Sequence, residues 1–502
     1  MAEIISMLIL LFSMGWALSL EPGVKIAVTN KGLEYASQVA GAALRSKLQA
    51  VTIPDQSGSE GSKSLSVSNI RIKSITGPDT HVSLNPGAGG VTLALSNFGI
   101  HLHADWRAKK RIIFKLSIRG SVELTVSGAS VTVVAALGEK NGRPSVTGKS
   151  CSCRIDDVGL KLRGGLAAFI LNLFKGVIRK KIRNTLQVKV CEAVMEQVNT
   201  RANAELARMK VSGEIARRFT VDYSLTRPPT ITDNHIEVAS RGLVYWKDNR
   251  QLSPFRPAAL PALTDFSNML YLYVTEYSAN TLAYVAHVNG LLKYNFTLDS
   301  LSIDGSDLQN NVEQLKVINP HSKLELRISS SSAPSVKFEN QKMTTAAAAN
   351  VDVVVHTNNQ AVTPLGLRVN LSLTVQPSIV DEKLIAIIAS YTFHTEVIKS
   401  DIGHINGQDF NALIRKEMDA VVIPELNDLM EEGVELPTTG TFHLFNTKLN
   451  LQPGYLQVAT DLEYLRESVS ATTRSSRNPH YFPFHWKNAH GNRHPFNRYI
   501  AH

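Results

Sequence analysis

Hydrophobic spacing divides the chain into helical and stranded stretches, and the division occurs twice. In NKGLEYASQVAGAALRSKLQAV, which begins at Asn30, residues Leu33, Ala36, Ala40, Ala43 and Leu44 recur at intervals of three and four. That spacing puts them on one face of a predicted helix, with Asn30 suited to cap it. The face is small, so it reads either as close helix packing or as a wall left shallow for something to lie against. From about Val67 to Val146 the period changes to two. SVELTVSGASVTVVAAL sets Val122, Leu124 and Val126 on one side, and EKNGRP at 139–144 carries a hairpin turn signal. Long antiparallel strands are predicted here. A second helical pattern follows from 164 to 199, with Leu166, Ile170, Leu173, Val177, Ile182, Leu186, Val190 and Val194 in one stripe. Its other side carries Lys175, Arg179, Lys180, Lys181 and Arg183, a predicted solvated face.

Prolines then cluster between Arg227 and Asp265, in RPP and LSPFRPAALPAL, which predicts an extended linker over the surface. The pattern begins again beyond it. IAVTNKGLEYASQVA (26–40) aligns without gaps on LYVTEYSANTLAYVA (272–286), and FKGVIRKK (174–181) on FNALIRKE (410–417). An internal duplication joined by a proline linker accounts for both matches and yields two α+β units. Beyond Leu465 the periodicity stops. The basic, His- and aromatic-rich stretch RSSRNPHYFPFHWKNAHGNRHPFNRYIAH is expected to be disordered.

Charge changes this picture by being unevenly placed. Residues 21–226 hold 30 Lys and Arg against 15 Asp and Glu, whereas 227–465 hold 17 against 26. A cationic first half predicts steering toward a polyanion. Its densest point is HADWRAKKRIIF (103–114), where four cations follow a Trp and precede an apolar run. No nucleic-acid-binding motif accompanies it. GxSxG, HExxH, GxGxxG and P-loop patterns are absent, so an enzyme is not expected. Residues 1–20 have the length and apolar run of a cleaved signal peptide, so the mature chain is expected to be secreted. Three cysteines in a secreted chain predict one disulfide and one leftover thiol. CSC at 151–153 lacks further ligands at metal-site spacing, so no metal is expected. The sequons at Asn295 and Asn370 are candidate glycosylation sites.

Several stretches together resemble the family of bactericidal/permeability-increasing protein and lipopolysaccharide-binding protein. They are EPGVKIAVTNKGLEYASQVA, VTIPD, DWRAKKRIIFKLSIRGSVELTVSG, NMLYLYVTEYSANTLAYVAHVNGLL and ELPTTGTFHLFNTKLNLQPGYLQVATDLEY. The resemblance runs roughly from Glu21 to Tyr464. It implies a boomerang of α+β class: two twisted antiparallel β-barrels, each with a long helix, joined by a central sheet. The division would be a signal at 1–20, an N-terminal cationic barrel at 21–226, a proline-rich linker and central-sheet region at 227–266, a C-terminal barrel at 267–464 and a tail at 465–502.

The family's single disulfide joins the strand before the long helix to that helix. It matches Cys151 with Cys191, with Cys153 a rival on the same strand face. An apolar pocket in each half would hold phospholipid, and no other cofactor is implied. Candidate walls are Ala36, Ala40 and Ala43 in the first half and Leu282 and Ala286 in the second. The basic hairpin tips of the first barrel would meet the phosphates of lipopolysaccharide. Arg107, Lys109, Lys110, Arg111 and Lys115 are the leading contacts, with Trp106 suited to a membrane interface. Arg71, Lys73 and Lys63 are neighbouring candidates. One departure bears on affinity: the loop after VTIPD is QSGSEGSKS, poor in lysine, with Lys63 opposed by Glu60. The expected function is that of a secreted, monomeric lipid-binding protein of innate defence. It would act at the Gram-negative outer membrane, with no nucleic-acid partner. A phospholipid or neutral-lipid carrier without antibacterial action is the alternative.

Overall fold

The computed structural model describes residues 21–60, 63–111, 115–163, 167–215, 217–250, 253–297, 323–356, 360–436 and 442–465, with two short paired strands at His485–Lys487 and Arg493–Pro495. The expected signal segment and the rest of the tail lie outside the described residues.

The first half begins with β1 (Val24–Thr29), then helix α1 (Asn30–Gln49). A sheet follows: β2 (Gln56–Glu60), β3 (Lys63–Thr76), β4 (Asp79–Asn85), β5 (Gly90–Arg111), β6 (Lys115–Lys140) and β7 (Arg143–Arg163). It is antiparallel in the order β2-β3-β5-β6-β7, with β4 added beside β5. The alternation read from the sequence is the alternation observed. Leu102, Ala104, Trp106 and Ala108 of β5 and Val122, Leu124 and Val126 of β6 are buried on the concave side. Helix α2 (Ala167–Glu196) fills that side with Ile178, Ile182, Leu186, Val190 and Val194. The EKNGRP turn is a two-residue hairpin in which Asn141 and Gly142 both take positive φ, 56° and 73°, as such a turn demands. The disulfide joins Cys151 of β7 to Cys191 of α2, with Cα atoms 5.6 Å apart. Cys153 is half-buried at the core's edge, and burial pushes its thiol up to about 11.

Of the expected α1 face, Leu33 and Ala36 have described side chains; Leu33 is half-buried and Ala36 is exposed. Gly32, Ser37 and Gly41 are buried. Ser37 Oγ lies 3.0 Å from Thr80 Oγ1 of β4, and a Cβ on Gly41 would sit 2.6 Å from the Thr80 methyl. The small residues therefore allow close packing, Ser37 and Gly41 against β4 and Gly32 against the Met269 backbone.

A small sheet of β8 (Ser212–Ile215), β9 (Phe219–Asp222) and β12 (Leu243–Trp246) lies between the halves, with β10 (Thr230–Ile231) and β11 (His235–Ser240) intervening in the chain. The second half repeats the plan. Strand β13 (Leu270–Thr275) leads into helix α3 (Glu276–Val288). Then come β14 (Lys293–Thr297), β15 (Lys323–Ser330), β16 (Ser335–Glu339), β17 (Lys342–His356), β18 (Ala361–Val380) and β19 (Lys383–Ser400). Its long helix is α4 (Asn411–Glu417) and α5 (Ile423–Glu432), joined by a π-helical stretch at 418–422 and followed by the short strand β20 (Val434–Glu435). FNALIRKE opens this helix, whereas FKGVIRKK lies two turns inside α2.

The halves meet in a central sheet ordered β10-β11-β1-β13-β22-β21, where β21 is Phe442–Gln452 and β22 is Tyr455–Tyr464. β1 and β13 pair antiparallel, with Ile26 opposite Leu272. These two residues are equivalent in the duplicated sequence, so a pseudo-twofold axis passes between them. The flanking bonds obey it: Thr29 N donates to Met269 O at 3.0 Å and Thr275 N to Gly23 O at 2.9 Å. β11 then flanks β1 as β22 flanks β13, in the same register. That correspondence exposes a further repeat, HIEVAS (235–240) on YLQVAT (455–460).

One face of this sheet is covered by the proline-rich linker, as expected, through Leu260 and Leu263 against Ala27, Tyr271 and Tyr273. Lys25 fastens it. Its side chain is only 4% exposed, and Nζ donates to Pro261 O at 2.6 Å, lies 3.4 Å from Glu237 and stands 4.7 Å over the Tyr273 ring. Lys25→Met removes the donor from the Pro261 carbonyl but leaves Glu237 paired with Arg227 at 2.9 Å. A loss of about 2–3 kcal/mol is expected, measured by denaturant unfolding. An unchanged midpoint would show that the contact does not hold the linker.

Candidate functional site

The first-half sheet turns its convex side to solvent, and near the β5–β6 hairpin that side is cationic. Along β5 the outward positions are His101, His103, Asp105, Arg107 and Lys109, alternating with the buried Leu102, Ala104, Trp106 and Ala108. Register then decides the neighbours. Arg107 lies between Ser66 of β3 and Arg119 of β6. The next rung inward runs Ser68, Asp105, Ser121, Arg163, and the one after it Arg71, His103, Glu123, Lys161. Lys73 stands close enough for its charge to act on Glu123.

Seven cations therefore share the face: Arg71, Lys73, Arg107, Lys109, Arg119, Lys161 and Arg163, all exposed. Two carboxylates oppose them. Asp105 accepts from Asn69 Nδ2 at 2.8 Å, and Glu123 lies 2.8 Å from His103 Nδ1. The His103 hydrogen bond holds the Glu123 carboxyl below its usual range, helped by the charges of His103, Arg163 and Lys73. Among the described residues, none of the seven forms an ion pair. Arg107 directly opposite Arg119 is unfavourable in a bare sheet. An anion between them removes that repulsion, and Arg supplies two parallel donors to a phosphate.

Trp106 is a correction to the expectation. It does not sit at an interface; it is 1% exposed, beneath the cationic face. Its indole Nε1 donates to Ser121 O at 3.1 Å and to Arg163 O at 3.3 Å. Gly120 makes room, since a Cβ there would lie 2.8 Å from the ring. The ring thus ties β5, β6 and β7 together where Arg107, Arg119 and Arg163 project. Arg119, Lys161 and Arg163 were not singled out from sequence, although outward alternation in KLSIRGSVEL and GLKLR was a usable signal. For Lys63, Lys110, Arg111 and Lys115 the backbone is stranded, with Lys63 opposite Lys110 and Arg111 opposite Lys115. Their side chains lie outside the described residues.

The residues expected to line lipid pockets are described in part. Ala36 is exposed, and the side chains of Ala40 and Ala43 lie outside the described residues. Leu282 and Ala286 pack with Val285 against Phe219, Val221 and Val244 of the small sheet, so that side of α3 joins the two halves. A shallow pocket not foreseen from sequence lies between β2, β3 and α2. Leu65, Val67, Ile178 and Ile182 form its apolar floor, and Lys181 at its rim donates to Ser57 O. On the helix face expected to be solvated, Arg183 also donates to Asp156 O at 2.8 Å, and Arg179 reaches Asp157 at 4.0 Å. Asn295 and Asn370 are both exposed, on β14 and mid-β18.

Comparison with known proteins gives concordant results. The LBP / BPI / CETP family N-terminal domain matches residues 32–205, and the C-terminal domain of that family matches 213–464. A bactericidal permeability-increasing protein of Sebastes schlegelii is 29% identical over 461 residues, covering 89% of this chain and 96% of the relative. A lipopolysaccharide-binding protein of Bos taurus is 29% identical over 471 residues, covering 91% and 97%. The crystal structure of a lipopolysaccharide binding protein superposes with a TM-score of 0.64 at 23% identity, covering 89% of this chain and all of that one.

The burial of Trp106 has a measurable consequence. Trp106→Ala is expected to cost about 3–5 kcal/mol of stability, read from denaturant midpoints. A stable variant with altered vesicle binding would return the side chain to an interface role.

Proposed function

The chain belongs to the LBP / BPI / CETP family, and on that premise we propose that it binds the phosphates of lipopolysaccharide lipid A through the convex cationic face of its N-terminal half. The observation that carries this reading is the set of seven exposed cations, none of them in an ion pair among the described residues, spread over four strands above the Trp106 rivet. Lipid A combines paired phosphates with acyl chains. The face supplies donors for the former. The relatives named for binding lipopolysaccharide or for bactericidal activity support the same substrate class. In this reading the protein is secreted, carries phospholipid in apolar pockets, acts against Gram-negative bacteria and does no covalent chemistry.

The test is a variant with Arg107, Lys109, Arg119 and Arg163 all changed to Gln. Each cation at an anionic lipid surface contributes about 1 kcal/mol, so binding to lipid A vesicles is expected to weaken roughly several hundredfold. The deficit should shrink as salt is raised. A variant with a normal melting curve and undiminished binding would sink the reading and leave the carrier alternative ahead. Pocket occupancy is tested separately: organic extraction of protein purified from a eukaryotic host should release phospholipid, and a folded sample yielding none would remove that part.

A further inference from the structure

The cationic face carries two groups that the phosphate reading does not use. His101 and His103 project on the same side of β5 as Arg107 and Lys109. His103 lies in a rung with Arg71 of β3, Glu123 of β6 and Lys161 of β7. His101 is opposite Ser74 and Thr125, with Thr125 Oγ1 3.4 Å from its Nδ1. The charged groups facing the pair are therefore Arg71 and Lys73 from β3, Asp105 and Arg107 along β5, Glu123 from β6, and Lys161 and Arg163 from β7. Asp55 joins them at one remove, its Oδ1 accepting from the backbone of Asn69, which in turn holds Asp105.

We propose that His101 and His103 make this face a pH-sensitive binding surface that holds anionic lipid more tightly in acid than at neutral pH. The inference rests on the reading of the face given above. At neutral pH Glu123 places a negative charge between Arg71 and Lys161, where it repels a docked phosphate. The 2.8 Å contact from His103 Nδ1 means that a proton gained there cancels that charge on the spot. A proton gained by His101 adds a further cation beside Lys73. Histidine is the side chain that changes charge between neutral and mildly acidic pH. Seven cations against two carboxylates become nine, and the two added charges lie on the surface the lipid would cover. Across strands they are within about 5 Å of existing rung partners, inside the screening length of about 8 Å.

The experiment measures binding to phosphatidylcholine vesicles with and without phosphatidylglycerol, at about pH 7.4 and about pH 5.5. Phosphatidylglycerol is chosen because its phosphodiester keeps one negative charge at both values, whereas the phosphomonoesters of lipid A do not. The wild type is expected to bind the anionic vesicles about tenfold more tightly at the lower pH. In the double variant His101→Gln/His103→Gln the ratio between the two pH values should fall to about one. Glu123→Gln should tighten neutral-pH binding several-fold and shrink the acid gain, because it removes the same charge by another route. Melting curves check that these substitutions, at the exposed His101 and the half-buried His103 and Glu123, leave the fold intact. Salt-sensitive binding with no pH dependence would overturn the inference alone. So would an acid gain that persists in the double variant, or a Glu123→Gln protein indistinguishable from wild type. Failure of the wild type to bind anionic vesicles at either pH would overturn the reading of the face itself, and the inference with it.

Discussion

The antiparallel pairing of β1 with β13 is the contact on which the rest of the structure depends. Ile26 and Leu272 face each other across a pseudo-twofold axis, and every strand of the central sheet is laid down outward from them in matching register. Neither strand has another place to satisfy its inner row of backbone donors and acceptors, because each is the innermost strand of its own half. Burying those groups unpaired would cost more than a typical net hydrogen bond returns. The pairing also settles which face of the sheet the linker covers. Lys25, Ala27 and Thr29 point to one side, and Ile26 to the other. The proline-rich segment follows the first set, secured through Lys25, while leucines of the second half close over the other side.

The cationic face shows how a sheet holds like charges close together. Cross-strand arginines repel, and an open sheet edge would relieve this by twisting or fraying. Here the inner face opposes that tendency. Trp106 bonds to carbonyls of two neighbouring strands, and the buried stripe of α2 packs beneath. The same period of two serves both purposes, since every cation aimed outward leaves an apolar neighbour aimed inward. The unfavourable electrostatics of the face are offset by burial underneath, so the donors that the proposed phosphate contact would use are held in place.

Much of this was legible from the chain. The period of two predicted the long strands, EKNGRP predicted its hairpin, and the spacing of Ile182, Leu186, Val190 and Val194 predicted the packed side of α2. The duplication was visible in IAVTNKGLEYASQVA and LYVTEYSANTLAYVA. Trp106 was misplaced although the pattern held the answer, because it alternates with Arg107 and so shares the side of Ala104 and Ala108. Residue chemistry suggested an interface where periodicity indicated a core. Ala36 of α1 departs from the expectation for a different reason. Gly, Ser and Ala lie on more than one side of that helix; β4 covers Ser37 and Gly41, and the backbone of Met269 covers Gly32.

What the sequence determined by itself were the properties that follow from local backbone geometry: where helices and strands run, which residues share a side, where charge accumulates, and that the plan occurs twice. What only the tertiary structure decided were the neighbours. Arg119 beside Arg107, Arg163 above Trp106, Cys151 rather than Cys153 against Cys191, and the hidden kinship of HIEVAS with YLQVAT all depend on strand register or helix docking. Periodicity is written in residues a few positions apart. Register is set by contacts between segments tens to hundreds of residues apart, whose alignment depends on the packing of the whole sheet.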